Sequence, residues 1–536
     1  MFIKSILLIE LFKGIDRLKS IKIKKMKILD CTLRDGGYYT NWDFDQDLVI
    51  EYAKSMEELP IDYVEVGYRS IPLNGYLGKY FYCPIFVLKE LKELMPSKKL
   101  AVILNEKDIR TGHVHDLLKP ILPFVTLVRI AVDPKNFGRA VKLAKAIKEL
   151  GFEVAFNVMY MSNWKKDTSF LDLLEGADDF LDYFYMVDSF GGIMPNDVKE
   201  IVRLVKSKTN VPLAFHGHDN LQMALINTIT ALDEGCVMVD ATITGMGRGA
   251  GNLKTELLLT YFESQNQILL NFNMLGGVVF DFEELRKIHG WGTSLPYMFS
   301  GAYSLPQKEV MEWVGMNRYT LNSIINALNN KKMVVKDNIK LPVFSKCERF
   351  KTAIIIGGGE SAKSHKEAIL EFAENKKDVC LIHAGVRNVS TYIGTQCEQF
   401  YSLVGTESEK LKKQLVDLSK ISETCVFPPY PRKMGTTLPL GLEKASKELE
   451  DIQFTKASND SPLVISIQLA LDMGVNEILL LGFDGYDVNI NKSQFVLAQE
   501  NQKIIDDLLK IEGLEVSSLS PTKYENIEIT SIYSLI

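Results

Sequence analysis

The stretch Ile28–Trp42, "ILDCTLRDGGYYTNW", opens as a short apolar run and breaks at an Arg-Asp pair, which two glycines and two tyrosines follow. The run reads as a buried strand. A charged pair at the end of a buried strand is costly unless each charge finds a partner. The reading of the whole chain therefore turns on what converges on Asp35.

From Met26 to about Tyr261 similar runs recur, at "KILDCT", "DYVEVGY", "LAVILN", "LVRIAV", "EVAFNVMY", "FYMVDSF", "PLAFHGHD" and "MVDATITG". Helical patterns such as "DLVIEYAKSMEEL" and "NDVKEIVRLVKSK" lie between them. Continuous apolar strands, each followed by an amphipathic helix, imply a parallel sheet covered on both faces. Eight units in this span predict a closed (β/α)8 TIM barrel over 26–269, with an open doubly wound sheet as the alternative. Residues 270–345 read as an accessory helical region, in which Trp291, Tyr297 and Trp313 are core or interface anchors rather than ligand groups. A second α/β pattern opens at "TAIIIGGGES", and 349–536 is predicted to be a Rossmann-like domain.

Composition narrows the function. A net charge of -6 argues against general nucleic-acid binding, which needs a basic footprint. The seven cysteines are scattered and never form a Cys-x-x-Cys pair, which suits a reducing cytoplasm and gives no thiolate zinc site. The opening "SILLIELF" is too short to span a bilayer, and no window later in the chain is long and apolar enough to do so. Residues 1–25 read as an extension without a signal-peptide pattern, and the working chain is expected to start near Met26.

Barrel chemistry sits at the C-terminal ends of the strands. Those ends carry Arg34 and Asp35 after strand one, Glu65 in strand two, Arg129, Asn157 and Asp188 in strands four to six, and "HGHDN" after strand seven. His216 and His218 are two apart, so on a strand both face one side. The loop "GMGRGAGN" ends at Asn252, which is read either as a ligand or as the N-cap of the next helix. Asp35, His216, His218 and Asn252 form a mixed nitrogen and oxygen set suited to Mn2+ or Mg2+, with Zn2+ also possible.

"LRDGG", "HGHDN" and "GAGN", in this order and on these strands, resemble the DRE-TIM metallolyases. That group includes hydroxymethylglutaryl-CoA lyase, the isopropylmalate and citramalate synthases, and 4-hydroxy-2-oxovalerate aldolase. The resemblance covers the barrel. It implies that the aspartate and both histidines bind a divalent metal, with Asn252 joining them in some members. It further implies that Arg34 stabilises the enolate oxygen of a 2-oxo acid such as pyruvate. Gly37-Tyr38 stands where the Claisen-type synthases have Glu-Gln, and is closer to the aldolases, which have a small residue and then a histidine base. Tyr38 takes that histidine's place. A phenol is a poor base at neutral pH, so the base is left open between Tyr38, a water it holds and another group. Glu65 is grouped with Arg34 and Tyr38 as catalytic.

The turn Gly357, Gly358, Gly359 lies between a strand and a helix, a place suited to a phosphate. With the late "GFDG" loop at Asp484, it faintly resembles bacterial sialyltransferases and pterin diphosphokinase-like proteins, which implies a nucleotide or nucleotide-sugar there. Together these readings predict a cytoplasmic, homo-oligomeric aldolase acting on a 2-oxo acid and an aldehyde, in sugar or surface-polysaccharide metabolism. The alternatives are a Claisen-type acyl-CoA synthase, or a nucleotide-sugar protein with a silent barrel.

Overall fold

The computed structural model describes residues 26–316, 319–405, 407–414, 424–436, 438, 441–486 and 492–536; the N-terminal extension expected at 1–25 lies outside them. The chain forms two compact units, Met1–Lys308 and Glu309–Ile536. The helical stretch 270–345 is shared between them, with Phe272–His289 and Leu295–Ala302 in the first unit and Leu321–Lys332 in the second.

The first unit is a closed barrel of eight parallel strands. They are β1 (Lys27–Asp30), β2 (Tyr63–Tyr68), β3 (Lys99–Asn105), β4 (Val125–Val132), β5 (Glu153–Val158), β6 (Tyr183–Asp188), β7 (Leu213–Gly217) and β8 (Met238–Ala241). Closure is made by β8 on β1, with Leu29 opposite Asp240. Small and aromatic side chains alternate in the interior, where Ala101, Ala155 and Ala214 lie among Leu29, Tyr63 and Tyr185. A larger apolar shell fills the space between strands and helices, and Trp291 is buried in it, donating its indole N–H to the Thr244 carbonyl at 3.2 Å.

One element departs from the sequence reading. The segment after β1 is not a loop but a helix, Thr32–Thr40, so Arg34 and Asp35 lie in its first turns rather than on a strand end. Two glycines in nine residues make a weak helix by propensity, and packing holds it instead. A Cβ on Gly37 would lie inside contact distance of the rigid Trp42 indole, whose Nε1 donates to the Arg34 carbonyl at 2.8 Å. Gly37→Ala should therefore cost about 1–3 kcal/mol through overpacking and disturb Arg34 as well. Denaturant unfolding of the variant checks the cost, and an unchanged midpoint would show that Trp42 yields freely.

The second unit is an eight-stranded, wholly parallel sheet of the doubly wound kind. Its strands are β9 (Thr352–Ile356), β10 (Val379–His383), β11 (Gln399–Ser402), β12 (Thr424–Phe427), β13 (Ser446–Glu448), β14 (Glu477–Leu481), β15 (Glu515–Ser518) and β16 (Glu528–Ile529). The spatial order is 13-12-11-10-9-14-15-16, which reverses between β9 and β14 as in a Rossmann-like domain. The very short β13 and β16 were not expected. Among the described residues no helix is long and apolar enough to cross a membrane.

His383, at the end of β10, is buried, bonds Gln399 Oε1 at 2.8 Å and stacks on Tyr401. Burial lowers its pKa to about 4. The unfolded chain, with an ordinary histidine, takes up the proton first as pH falls. Stability is thus full above about pH 6.5 and is lost between there and about pH 4, by about 3 kcal/mol. His383→Gln should remove that part of the acid-induced loss in pH-dependent denaturation of the second unit.

Candidate active site

Asp30, at the end of β1, is fully buried and accepts from the Thr32 N–H at 2.9 Å, the Tyr52 hydroxyl at 2.6 Å and the Thr255 hydroxyl at 2.7 Å. This locks the start of the helix that carries Arg34 and Asp35. Arg34 then donates from Nη1 to Asp35 Oδ1 at 2.5 Å and from Nε to Glu65 Oε2 at 2.6 Å. Glu65 also faces Arg129 Nη1 at 3.0 Å. Arg129 bonds Asn157 Oδ1 at 2.9 Å and pairs with Asp240, whose Oδ2 in turn meets His216 Nδ1 at 2.8 Å. A chain of ion pairs from Arg34 through Glu65 and Arg129 to Asp240 thus crosses the barrel interior and ends on the His216 imidazole, with all five members buried.

His216 and His218 lie with ring centroids 4.9 Å apart. Each ring is fixed through Nδ1, on Asp240 for His216 and on the Asp188 carbonyl, at 2.8 Å, for His218. That leaves both Nε2 atoms for another partner, and His216 Nε2 is 3.8 Å from Asp35 Oδ2. Asn252 pairs with His218 through a short bridge and donates from Nδ2 to Asp35 Oδ2 at 2.6 Å. It is not a helix cap, because the following helix starts at Thr255. Its Oδ1 is buried without a hydrogen-bond partner.

Burial alone would raise Asp35, but the Arg34 guanidinium and the two imidazoles outweigh it and hold the carboxyl at about 2. Burial and the neighbouring His216 lower His218 to about 3, so it is neutral at pH 7. The ligand atoms of Asp35, His216 and His218 lie within 4.8 Å of one another, and with the orphaned Asn252 oxygen they fit a divalent cation. A second cluster, Cys31, His216 and Asp240, does not, because burial pushes the Cys31 thiol far up and keeps it protonated.

Tyr38 is partly exposed at the mouth. Its hydroxyl is 3.3 Å from that of Tyr68, and the Arg248 guanidinium lies 5.3 Å from its ring centroid. Arg248, Tyr68 and Asp240 were not singled out from the sequence. Asp240 was legible in principle, being an acid inside the apolar run "MVDATITG".

Gly357, Gly358, Gly359 and Asp484 form a separate cluster within the second unit. The Gly357 and Gly359 N–H groups donate to the Leu481 and Gly482 carbonyls at 2.7 and 2.8 Å. Asp484 accepts from the Ser361 N–H at 3.1 Å and from its hydroxyl. The Asp484 carboxylate thus sits at the start of the helix, beside the turn.

A parallel barrel whose mouth gathers a carboxylate, two oriented imidazoles and an arginine has the makings of a barrel enzyme. Comparison with known proteins agrees. The HMGL-like family model matches residues 128–288. A 4-hydroxy-2-oxovalerate aldolase from Carboxydothermus hydrogenoformans is 32% identical over 240 residues, covering 44% of this chain and 70% of that protein. An oxaloacetate decarboxylase from Mycobacterium tuberculosis is 26% identical over 242 residues, 45% of this chain and 71% of that one. The crystal structure of the N-terminal domain of a candidate aldolase from Bacteroides vulgatus is 56% identical, with a TM-score of 0.54, and spans 56% of this chain and 100% of that domain. The chain belongs to the HMGL-like family, among its aldolase-type carbon-carbon lyases.

Arg129 is the centre of the buried charge chain. Arg129→Met would leave Glu65 and Asp240 without their shared cation and should cost about 3–5 kcal/mol. A denaturation midpoint close to wild type would show that the network adds little to stability.

Proposed function

We propose that this chain is a divalent-metal-dependent aldolase that forms or breaks a carbon-carbon bond between a 2-oxo acid, pyruvate in the simplest case, and an aldehyde. The observation that carries the reading is the convergence of Asp35, His216 and His218 beside Arg34, with the Asn252 amide bonded to Asp35. Asp35, His216, His218 and Asn252 would hold the cation, which when bound supplies Lewis acidity for the negative charge that develops on the 2-oxo group.

The protein's own groups do the rest. Glu65 and Asp35 occupy Nε and Nη1 of Arg34. Among the described residues nothing engages Nη2, and that edge is available to the enolate oxygen. Because Arg34 is fixed before substrate arrives, little reorganisation is needed, and one such donor is worth roughly 3 kcal/mol, or about 10² to 10³ in rate. Glu65 then acts by positioning Arg34 and Arg129 rather than by touching substrate. Tyr38 and Tyr68 place two hydroxyls within hydrogen-bond reach of each other beside Arg248. We assign the proton relay at the hydroxyl or methyl carbon to this pair, in place of the aldolases' histidine.

The relative that decarboxylates oxaloacetate favours a second reading with the same pyruvate enolate and carbon dioxide as the leaving group.

Pyruvate in heavy water tests the shared step. Exchange of the methyl protons, followed by proton NMR, should require Mn2+ or Mg2+ and fall by at least about 10² in Arg34→Ala. Asp35→Asn or His216→Ala should abolish metal uptake while the barrel stays folded. Unchanged metal content in both variants would sink the site. Release of aldehyde rather than carbon dioxide then separates the two readings.

A further inference from the structure

The barrel unit contains a cavity of about 950 Å³ that reaches the mouth through Arg248, Ser189 and Tyr160. These three residues tie it to the cluster described above. Arg248 lies over the Tyr38 ring. Ser189 follows Asp188, whose carbonyl orients His218, and its hydroxyl accepts the Tyr160 N–H at 2.8 Å. A two-carbon aldehyde needs only on the order of 100 Å³, taking each heavy atom as about a water's 30 Å³. The cavity is thus built for something much larger.

Its lining says what. The inner wall pairs the aromatic rings of Tyr160 and Phe190, with centroids 5.5 Å apart, with polar groups suited to hydroxyls. Gln307 donates to Asn220 Oδ1 at 2.8 Å, while its own Oε1 is buried with no hydrogen-bond partner. That oxygen packs against Gly249 and fixes the wall, and the polar groups left to the cavity are those of Asn163, Ser169 and Ser189. The outer part of the lining carries Lys135, Lys166 and Lys308. The cavity's two acids, Asp133 and Asp167, already accept backbone N–H groups of their own loops, from Lys135 at 3.0 Å and Ser169 at 2.9 Å. With Arg248, four cations face two acids.

On the proposed aldolase reading, we infer that this cavity is the acceptor site and that the acceptor is a hydroxylated, sugar-sized aldehyde ending in an anionic group. The aldehyde carbon enters past Arg248, the hydroxyls meet Asn163 and Ser189, and the anion sits among the lysines. The shared chemistry is the anion, whether phosphate or carboxylate.

Calorimetric titration of the full chain with glycerol 3-phosphate, glycerate and glycerol tests this without relying on turnover. Either or both anions should bind and glycerol should not, and the tighter anion names the terminal group. The double variant Lys135→Ala, Lys166→Ala should weaken anion binding about ten- to hundredfold. With pyruvate as donor, it should raise KM for D-glyceraldehyde 3-phosphate, or for the aldehyde acid if glycerate binds more tightly, far more than for acetaldehyde. Equal binding of glycerol and the anions, or binding indifferent to both substitutions, overturns the inference. Anion binding together with absent pyruvate exchange overturns the acceptor assignment and the enolate reading, and leaves an anion site. Exchange with acetaldehyde as the best acceptor overturns the inference alone.

Discussion

The barrel mouth depends on one buried chain of opposite charges, Arg34–Glu65–Arg129–Asp240, that ends on the His216 imidazole. Each ion would be prohibitively expensive in the apolar interior alone, and each is tolerable only because its neighbours on either side carry the opposite sign or a hydrogen bond. The consequence is geometric as much as energetic. Arg34 and His216 stand on opposite sides of the donor cluster, and the chain fixes both ends together. The Arg34 guanidinium and the His216 imidazole are therefore set by the same interactions. Such an arrangement rewards rigidity in the supporting groups more than strength in any single pair.

The eight barrel strands were legible because a strand buried on both faces has no freedom to alternate, so each shows as an apolar run. The two histidines were legible for a similar reason, since i, i+2 on a strand leaves one face for both. The helix Thr32–Thr40 was not. Its glycines and charged pair look like a turn, and only the packing of Gly36 on Met246 and of Gly37 on Trp42, residues distant or disordered in pattern, makes a helix the better solution. Strands β13 and β16, of three and two residues, are too short to carry a pattern. Arg129 could be placed on its strand, but its partners come from β2, β5 and β8, and no local signal shows which interior acids it would join.

The glycine turn of the second unit shows what spacing leaves open. The motif was visible, and its position between β9 and the following helix was right, and the Gly357, Gly359 and Ser361 N–H groups are matched internally. A phosphate-binding turn needs N–H groups with no protein partner, and sequence spacing does not report that. Asp484 supplies the negative charge that a ligand would otherwise bring to the helix start.

The loop "GMGRGAGN" ties the chemistry to the choice of acceptor. On its inner side, a Cβ at Gly247 would collide with the Asn252 amide and crowd the Asp35 carboxylate. On its outer side, Gly249, at φ +70°, gives the space that Gln307 occupies. Arg248 lies between them, with Tyr38 on one side and the cavity on the other. A side chain at either glycine would therefore shift the donor cluster or the acceptor wall, and Arg248 would transmit the shift to both. Lys135 and Lys166, by contrast, are exposed and hold no part of the buried network. The loop is held by close backbone contacts on both sides, while the rim lysines carry no such constraint.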